Sequence, residues 1–235
     1  MPVDLFGQPA EIDEIIDIAK NNNLKTVIDG AQSFGSEYKN LKACTYGDIS
    51  TTSFFPAKPL GCYGDGGAIF TQDSDLAEII DSIRLHGKGV EKYDNVRIGV
   101  NSRLDTLQAA ILIEKLAIFQ QEIKLRNEFA ALYNLNMPEG ISCPIIPSDF
   151  LSVWAQYTII SENRDELRNN LSKNNIPSVI YYPKPLSQQD GYKDFPRVST
   201  GLRISESLPN NVLSLPMHPY LTADSVIHTC KVIKV

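Results

Sequence analysis

The residues with the clearest chemical potential lie between positions 29 and 67. Asp29 follows a short apolar segment, and Gln32 comes three residues later. Ser53 lies in a second, β-branched and aromatic segment, and Lys58 stands between two prolines five residues further on. Because ligands bind beyond the carboxyl ends of the strands in a parallel α/β sheet, side chains at the ends of two such segments would face one crevice.

An amine and a carboxylate in this arrangement suit the chemistry of pyridoxal phosphate. The Lys58 amine can form a Schiff base with the aldehyde of that cofactor, and the Asp29 carboxylate can pair with its protonated ring nitrogen. A glycine-rich turn from Gly61 to Gly67 follows the lysine and allows the chain to reverse close to a ligand. This turn lacks the GxGxxG spacing of a dinucleotide-binding loop, so we reject a dinucleotide site.

Each of these residues also has an ordinary structural explanation. Asp29 could be the N-cap of a helix that follows a strand, and Gln32 and Ser53 could be turn or capping residues. A single lysine such as Lys58 is usually a solvated surface residue. Only their combination in one stretch favours a cofactor site.

The elements that must position these residues alternate between helix and strand. Apolar residues at helical spacing predict a helix over residues 11–22 and another from its cap, Asp73, to His86. Short apolar or β-branched segments predict three strands, over residues 24–29, 49–55 and 66–71. This alternation predicts the α/β class with a mostly parallel sheet.

A long helical pattern from Leu104 to about Leu135 leads into the second part of the chain. Prolines and a glycine break the pattern after it, which predicts a large domain over residues 1–137 and a small α+β domain over residues 148–235. The predicted elements of the small domain are strands over 153–160, 177–182 and 212–215, a helix over 165–175, and a C-terminal helix from about residue 222.

Eight segments of the chain carry a resemblance to a known family. They are LFGQPAEIDEI, DGAQSFG, SFFPAKPLGCYGDGGAIFT, RLHGKG, GVNSRLDTLQAAIL, VWAQYTI, YYPKPLSQQ and LSLPMHPYL. With these segments in register over nearly the whole chain, the sequence resembles the DegT/StrS family of pyridoxal-phosphate-dependent sugar aminotransferases. The resemblance implies fold type I of the pyridoxal-phosphate-dependent aminotransferases, and pyridoxal 5'-phosphate as cofactor.

The resemblance also implies roles for the candidate cofactor residues. Lys58 corresponds to the lysine that forms the Schiff base, Asp29 to the acid at the ring nitrogen, and Gln32 to the group beside the 3-hydroxyl. Ser53 corresponds to a contact of the cofactor phosphate. Asn101 matches a residue that reaches the phosphate of the neighbouring subunit, which implies a homodimer, although Asn101 could instead cap the long helix.

Three further residues are candidate substrate contacts, and of these Tyr181 and Tyr182 fall where the family contacts its substrates. Arg103 could bind a substrate carboxylate through its planar guanidinium, or could pair with Asp105. Tyr181 and Tyr182 lie on a predicted strand, whose alternation would turn only one of them towards a site. Tyr181 stands where a histidine is expected in the family.

The implied reaction transfers an amino group from an amino acid, in this family usually L-glutamate, to a keto-sugar nucleotide. SFFPAKPLGCYGDGG and LSLPMHPYL look most like enzymes that aminate UDP-2-acetamido-2-deoxy-3-oxo-glucuronate for surface polysaccharide (O-antigen, lipopolysaccharide) synthesis. A related dehydratase branch carries histidine in place of the lysine, so Lys58 disfavours dehydration.

The resemblance further implies that family members carry an N-terminal part before the segment where this chain starts. In the family that part supplies a Gly-Ser/Thr turn for the cofactor phosphate and an aromatic ring that stacks on the cofactor. The sheet of this chain would then expose apolar edges. A second hypothesis follows, in which the chain is a truncated, non-catalytic remnant or a partner of a full-length aminotransferase.

Composition narrows the function classes. The 235 residues include 22 Lys and Arg against 28 Asp and Glu, a net charge of −6, so we expect no nucleic-acid or membrane partner. The N-terminus, MPVDLFGQPAEIDE, lacks the pattern of a signal peptide. The spacing of the four cysteines and three histidines matches no metal-binding pattern, so we expect no metal site and free thiols in a reducing cytoplasm.

Overall fold

The computed structural model describes residues 1–91 and 93–233. Two compact units make up the chain: the first contains Met1–Ile123 and Ile146–Ala155, and the second contains Lys124–Ile145 and Gln156–Val235. The long helix therefore passes from one unit into the other. The sequence-based division into a large domain over residues 1–137 and a small domain over residues 148–235 stays a prediction.

The first unit holds the elements around the candidate cofactor residues. Its helices are α1 (Ile12–Asn21), α2 (Ser74–Arg84) and the beginning of α3 (Thr106–Asn136), and a single 3₁₀ turn spans Leu5–Gly7. Its strands are β1 (Val27–Asp29), β2 (Glu37–Tyr38), β3 (Leu41–Lys42), β4 (Ile49–Ser53), β5 (Gly67–Phe70) and β6 (Phe150–Leu151).

The main sheet of the first unit has the order β1-β4-β5. β1 runs parallel to β4, with Asp29 opposite Thr51, and β5 runs antiparallel to β4. Two of the three strands thus share one direction, in agreement with the prediction of a mostly parallel sheet. A smaller antiparallel sheet has the order β3-β2-β6.

The predicted helices and strands of the first unit are confirmed, with shorter bounds. Asp73 caps α2 as predicted, because its Oδ1 accepts the backbone N–H of Leu76 at 3.0 Å. The strand predicted from residue 24 begins at Val27, because the N–H of Leu24 still donates to the carbonyl of Ala19 in the last turn of α1.

The two faces of the main sheet differ in burial. Ile28, Ser50 and Thr52 point to the inner face and are buried. Asp29 and Thr51 point to the opposite face and are only partly buried. Two apolar clusters form the core of this unit, one around Phe54, Leu60, Cys62, Leu112, Phe119, Ile123 and Val153, the other around Ile12, Ile28, Tyr38, Ala43, Cys44 and Tyr46.

The second unit contains the end of α3 and an antiparallel strand pair. Its elements are β7 (Tyr157–Ile160), α4 (Arg164–Lys173), α5 (Arg203–Ser207), β8 (Val212–Leu215) and α6 (Ala223–Ile233), with 3₁₀ turns over Leu186–Gln188 and Leu208–Asn210. β7 pairs with β8, and the ring of Tyr157 stacks on that of Tyr133 in α3 with 4.7 Å between centroids.

Two strand predictions in the second half of the chain need correction. The strand predicted over 153–160 begins only at Tyr157, because Trp154 has a left-handed backbone with φ of 51°. The strand predicted over 177–182 is wrong. Only a single bridge joins Val179 to Ser214 there, because nearby prolines lack the N–H donors that a ladder needs.

No helix within residues 1–91 and 93–233 is both long enough and apolar enough to cross a membrane. The same residues contain no group of three or more His, Cys, Asp or Glu side chains that could hold a metal ion.

Candidate functional site

Asp29 opens a turn of five residues, 29–33, which we call the acid turn. Its carboxylate Oδ1 accepts the N–H of Ala31 at 3.0 Å. The backbone of Asp29 is bonded on its outer side as well, since its N–H donates to the carbonyl of Pro2 and its carbonyl accepts the N–H of Asp4, both at 3.0 Å. Asp29 is therefore fixed from two directions.

The rest of the acid turn is tied to the same N-terminal residues. The side-chain Oε1 of Gln32 accepts the N–H of Phe6 at 2.7 Å, which sets the orientation of the amide group. The hydroxyl of Ser33 donates to Oδ2 of Asp4 at 2.7 Å. Residues 2–6 thus hold the backbone and two side chains of the turn that begins at Asp29.

Asp4 is a site-associated residue that the sequence reasoning missed. It is fully buried, with 0% of its surface exposed, and its Oδ1 accepts the N–H of Ala10 at 2.9 Å. Burial raises the pKa of the Asp4 carboxyl, and the nearby charge of Asp29 raises it further. An acid inside an otherwise apolar N-terminal segment was the available signal.

The thiol nearest to this network is an inert one. Burial raises the pKa of Cys44 to about 12, and the charge of Asp4 adds to the effect. Cys44, Cys62 and Cys230 are buried, and all four cysteines are free. The prediction that the cysteines carry free thiols is confirmed.

Ser53 and Lys58 follow the end of β4. Because β1 and β4 are parallel neighbours, Ser53 lies on the same sheet face as Asp29, at the same end of the sheet. The hydroxyl oxygen of Ser53 accepts the N–H of Phe55 at 3.2 Å, and a turn then joins the N–H of Lys58 to the carbonyl of Phe55 at 2.9 Å.

Residues 54–62 form a closed loop, which we call the lysine loop. At its base, the carbonyl of Phe54 accepts the N–H of Cys62 at 2.7 Å and also the thiol of Cys62 at 3.0 Å. The ammonium of Lys115 in α3 donates to the carbonyl of Gly61. A Cβ atom at Gly61 would lie 2.6 Å from the carbonyl oxygen of Phe55, so only glycine fits this closure.

The Lys58 side chain stands in the outer part of the lysine loop and is partly buried. In the part of the chain that the structure describes, its amine makes no hydrogen bond or ion pair. An amine without a bonded partner can approach an aldehyde without first breaking a hydrogen bond or an ion pair. The base of the loop is fixed, and its reactive group is not.

The donor set fits pyridoxal phosphate. Lys58 offers a primary amine for an aldehyde, and Asp29 offers a carboxylate of which only Oδ1 accepts a hydrogen bond among the described residues. Ser53 and Gln32 carry hydroxyl and amide groups of the kind that bind the oxygens of a phosphate or a phenol. The amine suits the aldehyde of the cofactor, and the carboxylate suits the ring nitrogen at the opposite end of the same pyridine ring.

Asn101 and Arg103 share a cleft with Thr51 and Thr52 of β4. The cleft has a volume of about 1030 Å³ and also borders β5 and α2, whereas Asp29 and Lys58 do not line it. The helix α3 begins at Thr106, so Asn101 is not its cap, and it forms a bridge with Leu85 instead. No ion pair joins Arg103 to Asp105. Their predicted roles stay predictions.

Tyr181 and Tyr182 belong to the second unit. They follow the Val179 bridge, outside any strand, and their rings lie 5.3 Å apart between centroids. Tyr181 is partly buried and Tyr182 is exposed. Their predicted contact with substrate stays a prediction.

Solved structures define the class to which this fold belongs. A DegT DnrJ EryC1 StrS aminotransferase from Brucella abortus superposes with a TM-score of 0.95 at 50% identity, covering 97% of this chain and 62% of that one. DesV of S. venezuelae, solved with a ketimine intermediate, superposes with a TM-score of 0.93 at 34% identity. The fold is that of the pyridoxal-phosphate-dependent aminotransferases of fold type I, as predicted.

The sequence profile of the DegT/DnrJ/EryC1/StrS aminotransferase family matches residues 1–234. The chain therefore belongs to the DegT/DnrJ/EryC1/StrS aminotransferase family, and the resemblance found in its motifs is confirmed.

Curated relatives share this family and are longer. The UDP-2-acetamido-2-deoxy-3-oxo-D-glucuronate aminotransferase of Pseudomonas aeruginosa is 46% identical over 231 residues, 98% of this chain and 63% of the relative. The dTDP-3-amino-3,4,6-trideoxy-alpha-D-glucose transaminase of Streptomyces venezuelae is 36% identical, over 94% of this chain and 59% of the relative. The chain thus spans about three fifths of the length of the relatives that it matches.

Proposed function

We propose that this chain carries the lysine and the ring-nitrogen acid of a pyridoxal-phosphate-dependent nucleotide-sugar aminotransferase. The observation that carries the proposal is the pairing of two features at one end of the main sheet. Asp29 ends β1, and the lysine loop with its unpartnered Lys58 amine follows the parallel neighbour β4. Family membership supports the same chemistry.

Pyridoxal phosphate, when bound, supplies an electron-withdrawing ring that stabilises the charge left when a proton leaves the carbon bearing the amino group. Lys58 would hold it covalently through Nζ. The Asp29 carboxylate, anchored through Oδ1, would keep a proton on the ring nitrogen by opposite-charge pairing. Gln32 would donate towards the 3-hydroxyl, and Ser53 towards the phosphate.

Lys58 has a second task in this proposal. After an incoming amino acid has displaced the lysine, Nζ would accept the proton from the carbon that bears the amino group. Nζ would then donate this proton to the cofactor carbon to which the lysine had been bound. The lysine loop suits this work, because its base is closed by Phe54 and Cys62 while the amine makes no hydrogen bond or ion pair among the described residues.

The substrates that we propose are L-glutamate as donor and a keto-sugar nucleotide as acceptor. The Pseudomonas aeruginosa relative, by its name, acts on UDP-2-acetamido-2-deoxy-3-oxo-D-glucuronate, so the acceptor proposed here is of that class. Its product would enter surface polysaccharide, including lipopolysaccharide, synthesis. Arg103, Tyr181 and Tyr182 are the residues proposed to contact substrate.

The proposal extends to assembly and location. As the family resemblance implies, Asn101 would contact the cofactor phosphate of a second subunit in a homodimer. The four free cysteines support a reducing compartment, the cytoplasm.

A second candidate function is favoured by length. The chain spans 63% of the Pseudomonas aeruginosa relative and 62% of the Brucella abortus structure, and the second candidate is a non-catalytic remnant or partner of a full-length aminotransferase. This candidate predicts an intact fold without cofactor at Lys58.

One experiment separates the two candidates. The purified chain is incubated with pyridoxal phosphate and treated with borohydride, which fixes a cofactor bound through a lysine amine, and the digest is mapped by mass spectrometry. We expect modification at Lys58, a visible absorbance band before reduction, and loss of both in Lys58→Ala. The exposed Lys20 in α1 gives the matched control, Lys20→Ala, which should label normally.

Label spread over surface lysines, or label at an unchanged level in Lys58→Ala, would contradict the proposed role of the lysine. Absence of label in a chain with an unaltered circular dichroism spectrum would support the non-catalytic partner. Formation of 2-oxoglutarate from L-glutamate in the presence of the keto-sugar nucleotide would then test the full reaction.

A further inference from the structure

The face of α3 that meets the lysine loop carries two polar residues among apolar ones. Leu112 and Phe119 on this face are buried in the apolar cluster that also contains residues of the loop. Gln108 and Lys115 share the face at helical spacing and are partly buried, whereas the adjacent Leu116 is 52% exposed. A helix ordinarily turns leucine inwards and lysine outwards, and such reversals are expected mainly at functional sites.

Lys115 bonds to the chain shortly after Lys58. Its ammonium donates to the carbonyl of Gly61 and lies 5.9 Å from the centre of the Tyr63 ring. Within residues 1–91 and 93–233 it forms no ion pair with a carboxylate. A partly buried ammonium costs free energy unless its hydrogen bonds are satisfied, so this one is placed to bind a backbone oxygen.

Gln108 binds the same stretch of chain two helical turns earlier. Its Oε1 accepts the N–H of Tyr63 at 2.8 Å. A Cβ atom at Gly64 would lie 3.0 Å from Nε2 of Gln108, so the chain passes directly against the amide group, and glycine allows this approach. We call Gln108 and Lys115 the α3 clamp, because two side chains of one helix hold residues 61–64.

The backbone is thereby held on both sides of Lys58. Before the loop turns, the N–H of Lys58 donates to the carbonyl of Phe55 at 2.9 Å. After Lys58 come Pro59, whose ring fixes φ, and Leu60, which is 3% exposed. The first bond of the α3 clamp is at Gly61, three residues after the lysine. A shift of residues 61–64 would therefore move the point from which the amine extends.

We infer that Gln108 and Lys115 are positioning residues for Lys58, which hold the backbone after the lysine and so set where its amine meets the aldehyde of the cofactor. The inference rests on the proposed function of Lys58. The clamp acts through backbone bonds, and neither of its residues is assigned a contact with cofactor or substrate. Since a displacement of about 1 Å can lower a rate on the order of a hundredfold, release of the clamp should be measurable.

The first experiment measures hydrogen exchange without cofactor. Lys115→Met removes the donor and keeps a long side chain, and Gln108→Leu removes the acceptor. Each should speed exchange of the Lys58 amide, to which neither side chain is bonded, about tenfold. Amides of β1 and β4 should exchange as in the parent, which separates local release from a general loss of stability. Lys124→Met is the matched control in α3, because the Lys124 side chain is 69% exposed.

The second experiment titrates each variant with pyridoxal phosphate, followed by borohydride, at a temperature at which circular dichroism shows every variant folded. The cofactor concentration that gives half-maximal label at Lys58 should rise about tenfold in Lys115→Met and in Gln108→Leu. Lys115→Arg keeps a cationic donor and Gln108→Glu keeps an oxygen acceptor, so both should stay within about threefold of the parent. Label at the exposed Lys20 should be equal in all variants. A merely structural role would leave the label at Lys58 unchanged in folded protein.

Failure of the inference and failure of the proposed function give different results. A parent chain without label at Lys58 would contradict the proposed function, while faster exchange of the Lys58 amide in the variants would still support its positioning by the α3 clamp. Exchange of that amide at the parental rate in both Lys115→Met and Gln108→Leu would overturn the inference. So would label at Lys58 with parental affinity in both, or a loss that Lys115→Arg and Gln108→Glu share in full.

Discussion

The acid turn and the lysine loop lie at the ends of neighbouring strands, yet they are held in different ways. The acid turn is bonded across the chain to residues 2–6, through the backbone of Asp29 and the side chains of Gln32 and Ser33. The lysine loop is closed at its base, by Phe54 and Cys62, and the Lys58 amine has no bonded partner within the described residues.

This difference matches two kinds of work. An acid that must keep one proton on a ring nitrogen is most effective when its position is fixed in advance. An amine that binds covalently, is released and then transfers a proton must be able to move. Under the proposed function, rigidity in the acid turn and an unbonded amine in the lysine loop would serve one mechanism, and each can be tested by a substitution.

The largest effect is expected at the anchor of the acid turn. Asp4→Ala removes the acceptor of the buried Ser33 hydroxyl and of the Ala10 N–H, leaving both without a partner. We expect the free energy of unfolding to fall by about 3 kcal/mol. Urea denaturation measures it, with the exposed Asp17→Ala in α1 as control, for which a change within about 0.5 kcal/mol is expected. Equal effects in the two variants would show that Asp4 anchors nothing.

Closure of the lysine loop should have the next largest effect. In Gly61→Ala the added Cβ would lie 2.6 Å from the carbonyl oxygen of Phe55 and 2.7 Å from that of Pro56. Because the backbone atoms can shift only at a large energetic cost, we expect the free energy of unfolding of Gly61→Ala to fall by about 2 kcal/mol. Gly191→Ala is the control, because nothing lies within 4 Å of a Cβ there. A melting temperature of Gly61→Ala equal to that of the parent would refute the tight closure.

The sequence could predict those features of the fold and the site that depend on residues close together in the chain. Helix α2 with its cap Asp73 and strand β8 follow local rules, and local patterns predicted both. Asp29 and Lys58 were found because their residue types and spacing point to chemistry. Their grouping at one end of the sheet required only the parallel order of two strands.

The parts that escaped prediction depend on distant contacts. Asp4 is buried by packing against Ser33 and Ala10, and no local pattern shows which acid will be enclosed in that way. The segment 177–182 contains β-branched and aromatic residues, which are typical of strands. The prolines around it lack the N–H donors of a strand ladder, and only the Val179–Ser214 bridge forms.

The pH dependence of stability sharpens the description of the acid turn. Because burial raises the pKa of Asp4, the folded chain binds a proton at pH values where the unfolded chain has already released it. This contribution to stability is complete below the unfolded pKa of about 3.8 and is lost as the pH rises through the folded pKa. Asp4→Asn should remove that loss, so the stability difference between variant and parent should change with pH in this interval.

Other acids act in the opposite direction and must be separated from Asp4. Hydrogen bonds from the Thr26 N–H and from Lys25 lower the pKa of Asp48 to about 2, so its contribution is lost as the pH falls. Taking the difference between parent and Asp4→Asn cancels such terms, since Asp48 is present in both. Carboxyl groups titrate roughly between pH 3 and pH 7. A stability difference between parent and Asp4→Asn that stays constant over this interval would contradict the raised pKa of Asp4.

The smallest effect on stability is expected at the residue with the largest effect on cofactor binding. Lys58→Ala removes an amine that bonds to nothing within the described part of the chain, so the free energy of unfolding should change by less than about 0.5 kcal/mol. Cofactor labelling should disappear in the same variant. Urea denaturation beside the labelling experiment measures both. A loss of stability as large as that of Asp4→Ala would mean that the lysine is a structural support, and the contrast between a fixed acid and a free amine would fail.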